Sequence, residues 1–108
     1  MKRRTISWLQ KERKMTCKEV LFSDHAISQM FKRNISVDDV KWVLENGETI
    51  AEYQYDKPYP SYLMLGYLSR RPIHIVVGKD EEKERCIVIT GYEPDPNIWQ
   101  PGFKSKRS

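Results

Sequence analysis

The sequence predicts an α+β domain in which two amino-terminal helices pack on a four-stranded antiparallel meander sheet. Apolar residues recur at three- and four-residue steps between residues 23 and 46, as in amphipathic helices, and alternate with polar residues beyond residue 47, as in strands. Prolines, glycines and charged runs separate the later stretches at hairpin spacing. With 108 residues, 39% of them apolar, the chain has room for one core and is too apolar for disorder.

The first helix is predicted to begin at Ser23 or Asp24, both residue types that cap helix amino termini well. Asn34 is a suitable terminator because asparagine tolerates the left-handed conformation that ends many helices. The apolar stripe between them consists of Ala26, Ile27, Met30 and Phe31.

The second helix has the clearest amino-terminal signal in the chain. Residues 36–39 resemble a capping box in which Asp39 replaces the usual Glu, and the adjacent Asp38 also favours the positive end of the helix. Asn46 and Gly47 are typical of a helix carboxyl terminus. Its buried stripe is predicted to consist of Val37, Val40, Val43 and Leu44.

Four extended stretches follow, at residues 50–55, 61–68, 73–77 and 85–92. Turn-forming or charged residues separate each from the next, which predicts three successive hairpins. The two middle stretches are apolar on both faces. One face is therefore expected to pack on the helices, and the other to be partly covered or functional.

Cysteine and histidine usage excludes several kinds of site. Cys17 and Cys86 are far apart and lack metal-ligand spacing, so a metal or cofactor site is not expected. No stretch approaches the ~20 apolar residues of a membrane span, and no signal peptide is evident, which predicts a cytoplasmic protein that does not enter a membrane. In that compartment the two thiols are expected to be buried and reduced, although a disulfide is an alternative.

Positive charge is concentrated at the two ends of the chain. Residues 1–22 contain seven basic and two acidic residues, a net charge of +5, and residues 101–108 contribute +3, whereas the middle is acidic. The basic ends either bind a nucleic-acid backbone, with Lys2, Arg3 and Arg4 as candidate contacts, or keep the protein soluble.

Several short motifs in a fixed order resemble a domain of unknown function from small bacterial and archaeal proteins. The resemblance covers roughly residues 22–100, which leaves residues 1–21 as a basic helix or arm and residues 101–108 as a basic tail. That domain is itself similar to the RelE-like toxins. The motifs are His25-Ala26, Arg33-Asn34-Ile35-Ser36, Val43 to Glu48, Leu65-Gly66, Arg71 to Val77 and Ile89 to Asp95.

The resemblance implies the toxin half of a toxin–antitoxin pair, acting as a messenger-RNA endoribonuclease, free or on the ribosome. The partner would be a small antitoxin of the zinc-finger or helix-turn-helix type. Cleavage would be metal-independent acid–base chemistry without a cofactor, and the oligomeric state stays open.

Such chemistry needs a base, an acid and cations around one phosphate, and histidine suits the first two roles. His25 and His74, the two histidines of the chain, are therefore the candidate acid and base. Arg71 is the candidate for stabilising the transition-state phosphate, and Tyr92 for positioning a base or assisting proton transfer. Two further arginines are candidate RNA contacts, Arg33 and Arg70.

Each of these residues also has a structural interpretation. His25 is suited to capping the first helix, and His74 to lying half-buried in a strand with a carbonyl as its partner. Arg33 is suited to satisfying the terminal carbonyls of the helix, and turn arginines are commonly solvated. A non-catalytic module that binds nucleic acid or protein through the basic arm and an open sheet face is the alternative function. A toxin relative that has lost activity is a third.

Overall fold

The computed structural model describes residues 15–108, and it contains two helices and one five-stranded sheet. The strands pair in the order β1-β5-β4-β3-β2, with both helices packed on one face. The elements along the chain are β1 (Glu19–Phe22), α1 (Asp24–Lys32), α2 (Val37–Asn46), β2 (Glu48–Tyr53), β3 (Ser61–Leu68), β4 (Arg71–Asp80) and β5 (Arg85–Tyr92).

The predicted count of four strands is wrong, because β1 forms a fifth strand at the sheet edge. It pairs in parallel with β5, with Val20 opposite Cys86. The other four strands form the predicted antiparallel meander. A four-residue strand whose partner lies more than sixty residues away leaves only a weak local signal, so the sequence alone predicts residues 19–21 as part of the arm.

Both predicted helix starts are confirmed in atomic detail. Ser23 Oγ accepts a hydrogen bond from Ala26 N at 3.0 Å. Ser36 and Asp39 form the reciprocal capping box, each side chain accepting from the other's backbone N–H at 2.9 Å. Asn34 has the left-handed conformation expected of a terminator, with φ of 57°. These features depend on neighbours within three residues, which explains why they were predictable.

The main core lies between the helices and one face of the sheet, where Met30, Val43, Ile75 and Val88 are buried together. The close approach of α2 requires glycine on β3. A Cβ at Gly66 would lie only 2.9 Å from Val43 Cγ2, closer than a methyl group can normally approach.

The opposite face of the sheet is covered by residues 94–108, which we call the C-terminal strap. Trp99 is buried, and it forms an isolated antiparallel bridge with Lys106. Lys104 Nζ lies 3.1 Å from Glu48 Oε2 at the start of β2. Residues 101–108, predicted as a tail, therefore contact the sheet. Because the C-terminal strap covers this face, the middle strands are apolar on both faces.

The two cysteines are joined, contrary to the expectation of reduced thiols. A disulfide links Cys17 to Cys86, whose Cα atoms are 5.5 Å apart. The parallel pairing of β1 with β5 brings them together, and no pattern in the sequence predicts that pairing. Residues 1–14, which include Lys2, Arg3 and Arg4, lie outside the described residues. Within the described part of the chain, no helix has the length and apolarity needed to cross a membrane.

Candidate functional site

His74 lies in the middle of β4, on the face opposite the helices, and is completely buried. Its Nε2 lies 2.9 Å from the carbonyl oxygen of Phe103 in the C-terminal strap, and its Nδ1 lies 3.2 Å from Tyr92 Oη. The ring also makes an edge contact with Trp99, with centroids 4.5 Å apart. His74 therefore fastens the strap to the sheet.

These partners determine the tautomer of His74. A carbonyl oxygen only accepts hydrogen bonds, so Nε2 must carry the proton. Burial lowers the pKa of His74, an effect that the Phe103 carbonyl partly opposes, so the ring is neutral at neutral pH. Nδ1 is then free to accept a hydrogen bond from the Tyr92 hydroxyl. The result is a phenol whose proton points towards a buried base.

The lowered pKa of His74 predicts a specific dependence of stability on pH. In the unfolded chain His74 titrates at its ordinary pKa of 6.5, and in the folded chain below it. The unfolded state therefore binds more protons between these two values. The contribution of His74 to the free energy of unfolding is complete above the unfolded pKa and is lost as the pH falls towards the folded pKa.

Urea unfolding at several pH values, from about pH 7.5 to about pH 5, measures this dependence. We expect His74→Gln to flatten the decline in stability over that interval and the matched variant His25→Gln, at an exposed position, to retain it. If the stability of His74→Gln falls with pH as steeply as that of the parent, the lowered pKa of His74 is contradicted. Asp80 does not interfere: burial tends to raise its pKa, but hydrogen bonds from Lys83 and Arg85 lower it below 3.8, outside the interval.

A groove of about 600 Å³ lies beside this pair, between the end of α1, the end of β5 and the strap. Its wall contains three cationic side chains and two carboxylates, together with Tyr92 and two apolar strap residues, Ile98 and Trp99. The cations are Arg33, Arg71 and Lys106, and the carboxylates are Glu93 and Asp95. The groove is large enough for a nucleotide-sized ligand.

Arg71 is held by three protein acceptors on the groove wall. Its Nε lies 2.9 Å from Glu93 Oε1, and its two Nη atoms donate to the carbonyl oxygens of Asn34 and Arg33. Arg71 thus satisfies two carbonyls just beyond the end of α1, whereas the sequence favours Arg33 as the residue that caps this helix end. Arg33 instead donates from Nη1 to Gly91 O on β5, at 2.8 Å.

Tyr92 is the residue that joins the groove to the buried histidine. Burial raises its pKa, the nearby Tyr53 acts in the same direction, and the Arg33 guanidinium opposes both. The phenol is therefore protonated at neutral pH and acts as a hydrogen-bond donor to His74 Nδ1.

The expected convergence of His25 and His74 is not found. His25 is exposed in the first turn of α1, and α1 packs through Ala26 and Met30 on the face of the sheet that carries Ile75. His74 alternates with Ile75 and points to the other face. The sheet thus separates the two imidazoles.

Arg70 also lies away from the groove wall, exposed at the turn between β3 and β4. Of the sequence candidates, the structure brings together Arg33, Arg71 and Tyr92 around the groove, with His74 behind Tyr92. Lys106 also lines the groove, but in the sequence it is one of several basic residues in the tail and nothing there distinguishes it. Among residues 15–108, no three His, Cys, Asp or Glu side chains are grouped as a metal site would require.

Comparison of the sequence with protein families assigns this chain to one of them. Neither the curated proteins nor the solved structures gave a match. A family model described as a domain of unknown function, DUF4258, matches residues 22–93, a span that runs from the end of β1 to the groove residue Glu93. That span covers most of the chain, and the protein therefore belongs to the DUF4258 family.

Proposed function

We propose that this protein is a metal-independent endoribonuclease whose active site is the groove lined by Arg33, Arg71, Tyr92 and Lys106. One observation carries the proposal: a phenol hydrogen-bonded to a buried, neutral imidazole stands in a groove with three cationic side chains. Messenger RNA is the substrate that the resemblance of the sequence motifs to RelE-like toxins implies. The proposal also includes a relationship to the RelE-like toxins, a role as a cytoplasmic toxin and a small antitoxin partner.

Phosphate binding is the first step that these residues perform. Arg33 and Lys106 attract the backbone phosphate, and Arg71, anchored by Glu93 and the end of α1, provides a fixed positive charge beside it. Fixed cations stabilise the extra negative charge that develops on phosphorus in the transition state. Glu93 and Asp95 limit the net positive charge of the groove, which favours a single phosphate over a long duplex backbone.

Proton transfer is the second step. Tyr92 Oη takes the proton of the ribose 2′-hydroxyl while its own proton passes to His74 Nδ1. The 2′-oxygen attacks phosphorus, the bond to the 5′-oxygen breaks, and Lys106 supplies the proton to that leaving oxygen. The products are a 2′,3′-cyclic phosphate and a 5′-hydroxyl end. His74 touches no substrate atom in this scheme and acts through Tyr92.

Incubation of the full chain with messenger RNA, with and without translating ribosomes, tests the proposal through the appearance of 2′,3′-cyclic phosphate ends. Tyr92→Phe removes the relaying hydroxyl, so we expect cleavage to fall by about 100-fold. Tyr67→Phe is the matched control, because Tyr67 is an exposed β3 tyrosine outside the groove wall. The proposal fails if the folded parent cleaves no RNA, or if Tyr92→Phe cleaves as fast as the parent.

A non-catalytic RNA-binding module is the second candidate, and the engagement of Arg71 favours it. Its Nε and both Nη atoms already have protein acceptors, which is typical of a structural arginine. Under this alternative the parent binds RNA with a strong salt dependence but generates no cyclic phosphate ends, and Tyr92→Phe leaves the affinity unchanged.

A further inference from the structure

The Cys17–Cys86 disulfide lies beside a buried lysine. Lys79 is opposite Cys86 in the antiparallel register of β4 and β5, so their side chains are neighbours on one face of the sheet. Both also meet the same carbonyl: Lys79 Nζ donates to Thr16 O, and Cys86 Sγ lies 3.8 Å from that oxygen. The ammonium is therefore held close to the sulfur by the residue that precedes Cys17.

Lys79 is only 6% exposed, and within residues 15–108 no carboxylate forms a salt bridge with it. The adjacent Asp80 is paired with Arg85 instead, at 3.1 Å. A buried ammonium without a counter-ion is costly, and one neutral carbonyl compensates it only in part. Reduction of the disulfide would supply the missing anion, because a cysteine thiolate is stabilised by a nearby cation.

We propose that Cys17 and Cys86 form a reversible thiol–disulfide exchange site, with Lys79 holding the Cys86 thiolate when the bond opens. The co-reactant is a thiol of the glutathione class. Its thiolate attacks Cys17 Sγ, which is half-buried, whereas Cys86 is completely buried. A mixed disulfide forms on Cys17, the Cys17–Cys86 bond breaks, and its electron pair leaves with Cys86 Sγ. A second thiol then releases Cys17, so that two thiols are oxidised to one disulfide as the protein disulfide is reduced.

Opening the bond changes how the amino-terminal segment is held. Without the disulfide, residues 15–18 are fastened by two backbone hydrogen bonds, from Met15 N to Leu44 O and from Lys18 N to Glu84 O. The following strand β1 has four residues and, among the strands that the structure describes, has β5 as its single neighbour. The redox state thus determines whether residues 15–18 are covalently fixed to β5.

The rate of reduction by glutathione at fixed pH, followed by alkylation and mass spectrometry, tests the role of Lys79. Lys79→Gln retains a donor for Thr16 O but removes the charge, so reduction should slow by about tenfold, because a less stabilised thiolate leaves more slowly. Lys79→Arg restores the charge and should restore the rate. Lys83→Met is the control, because Lys83 is an exposed lysine at the β4–β5 turn, and its rate of reduction should equal that of the parent. An unchanged rate in folded Lys79→Gln overturns the proposal.

The position of attack tests the proposal in the unaltered protein, whether or not the lysine variants fold. Glutathione trapped during partial reduction should be found on Cys17. Glutathione on Cys86, or two alkylatable thiols in air-oxidised protein, overturns the proposal. On full reduction, amide hydrogen exchange should rise across residues 15–22 and stay unchanged in Arg71–Asp80, and equal exchange in both redox states would also contradict it.

Discussion

Replacing His74 with alanine should lower the free energy of unfolding by about 3–5 kcal/mol, the range seen when a large buried ring is removed. The ring is completely buried, packs on Trp99 and holds the strap through Phe103 O. The variant leaves a cavity and deprives two polar groups on half-buried residues, that carbonyl and the Tyr92 hydroxyl, of their partner. Urea unfolding at neutral pH measures the change.

Two control variants separate the contributions to this loss. Tyr92→Phe removes only the hydrogen bond to Nδ1, so it should cost about 1 kcal/mol. His25→Ala should change stability by less than about 0.5 kcal/mol, because His25 is exposed. If His74→Ala were no more destabilising than His25→Ala, the strap would not be fastened to the sheet as described.

Replacing both cysteines with serine should cost about 2–4 kcal/mol of unfolding free energy, since the disulfide restricts the unfolded chain. The bond joins residues 69 positions apart, so it closes most of the described chain into a loop. A long loop gains more from such a restriction than a short one. Urea unfolding of Cys17→Ser/Cys86→Ser against the oxidised parent measures the difference.

Reducing agent provides the control for the cysteine variant. It should lower the stability of the parent towards that of the double-serine variant, and it should leave the variant itself unchanged. Equal stability of oxidised and reduced parent would contradict this prediction. It would not affect the exchange mechanism at Cys17, which concerns the rate and position of attack and not the stability gained.

The redox site and the proposed nuclease site lie towards opposite ends of the paired strands β4 and β5. Lys79 is opposite Cys86 near one end, and His74 is opposite Tyr92 near the other, beside the groove. The failure of one proposal therefore leaves the other intact. If both hold, a reducing agent would open the disulfide without disturbing the hydrogen bond between Tyr92 and His74.

The local features of the fold were determined by the sequence alone. The capping box of Ser36 and Asp39, the turn at Asn34 and the four meander strands depend on neighbours a few residues apart or on hairpin spacing. Because side chains alternate along a strand, the sequence also places His74 on the face opposite Ile73 and Ile75, but it does not show which of the two faces meets the helices. Arg33, Arg71 and Tyr92 are candidates by their chemistry and by their place at the ends of predicted elements, and the structure brings them together around the groove.

Only the tertiary structure decided which distant residues meet. It pairs β1 with β5 and thereby joins Cys17 to Cys86, it covers His74 with the strap, and it places His25 on the other side of the sheet. Each of these depends on contacts between segments far apart in the chain. Such contacts are selected by the burial of the whole core and not by local conformational preference, so no short stretch of sequence records them.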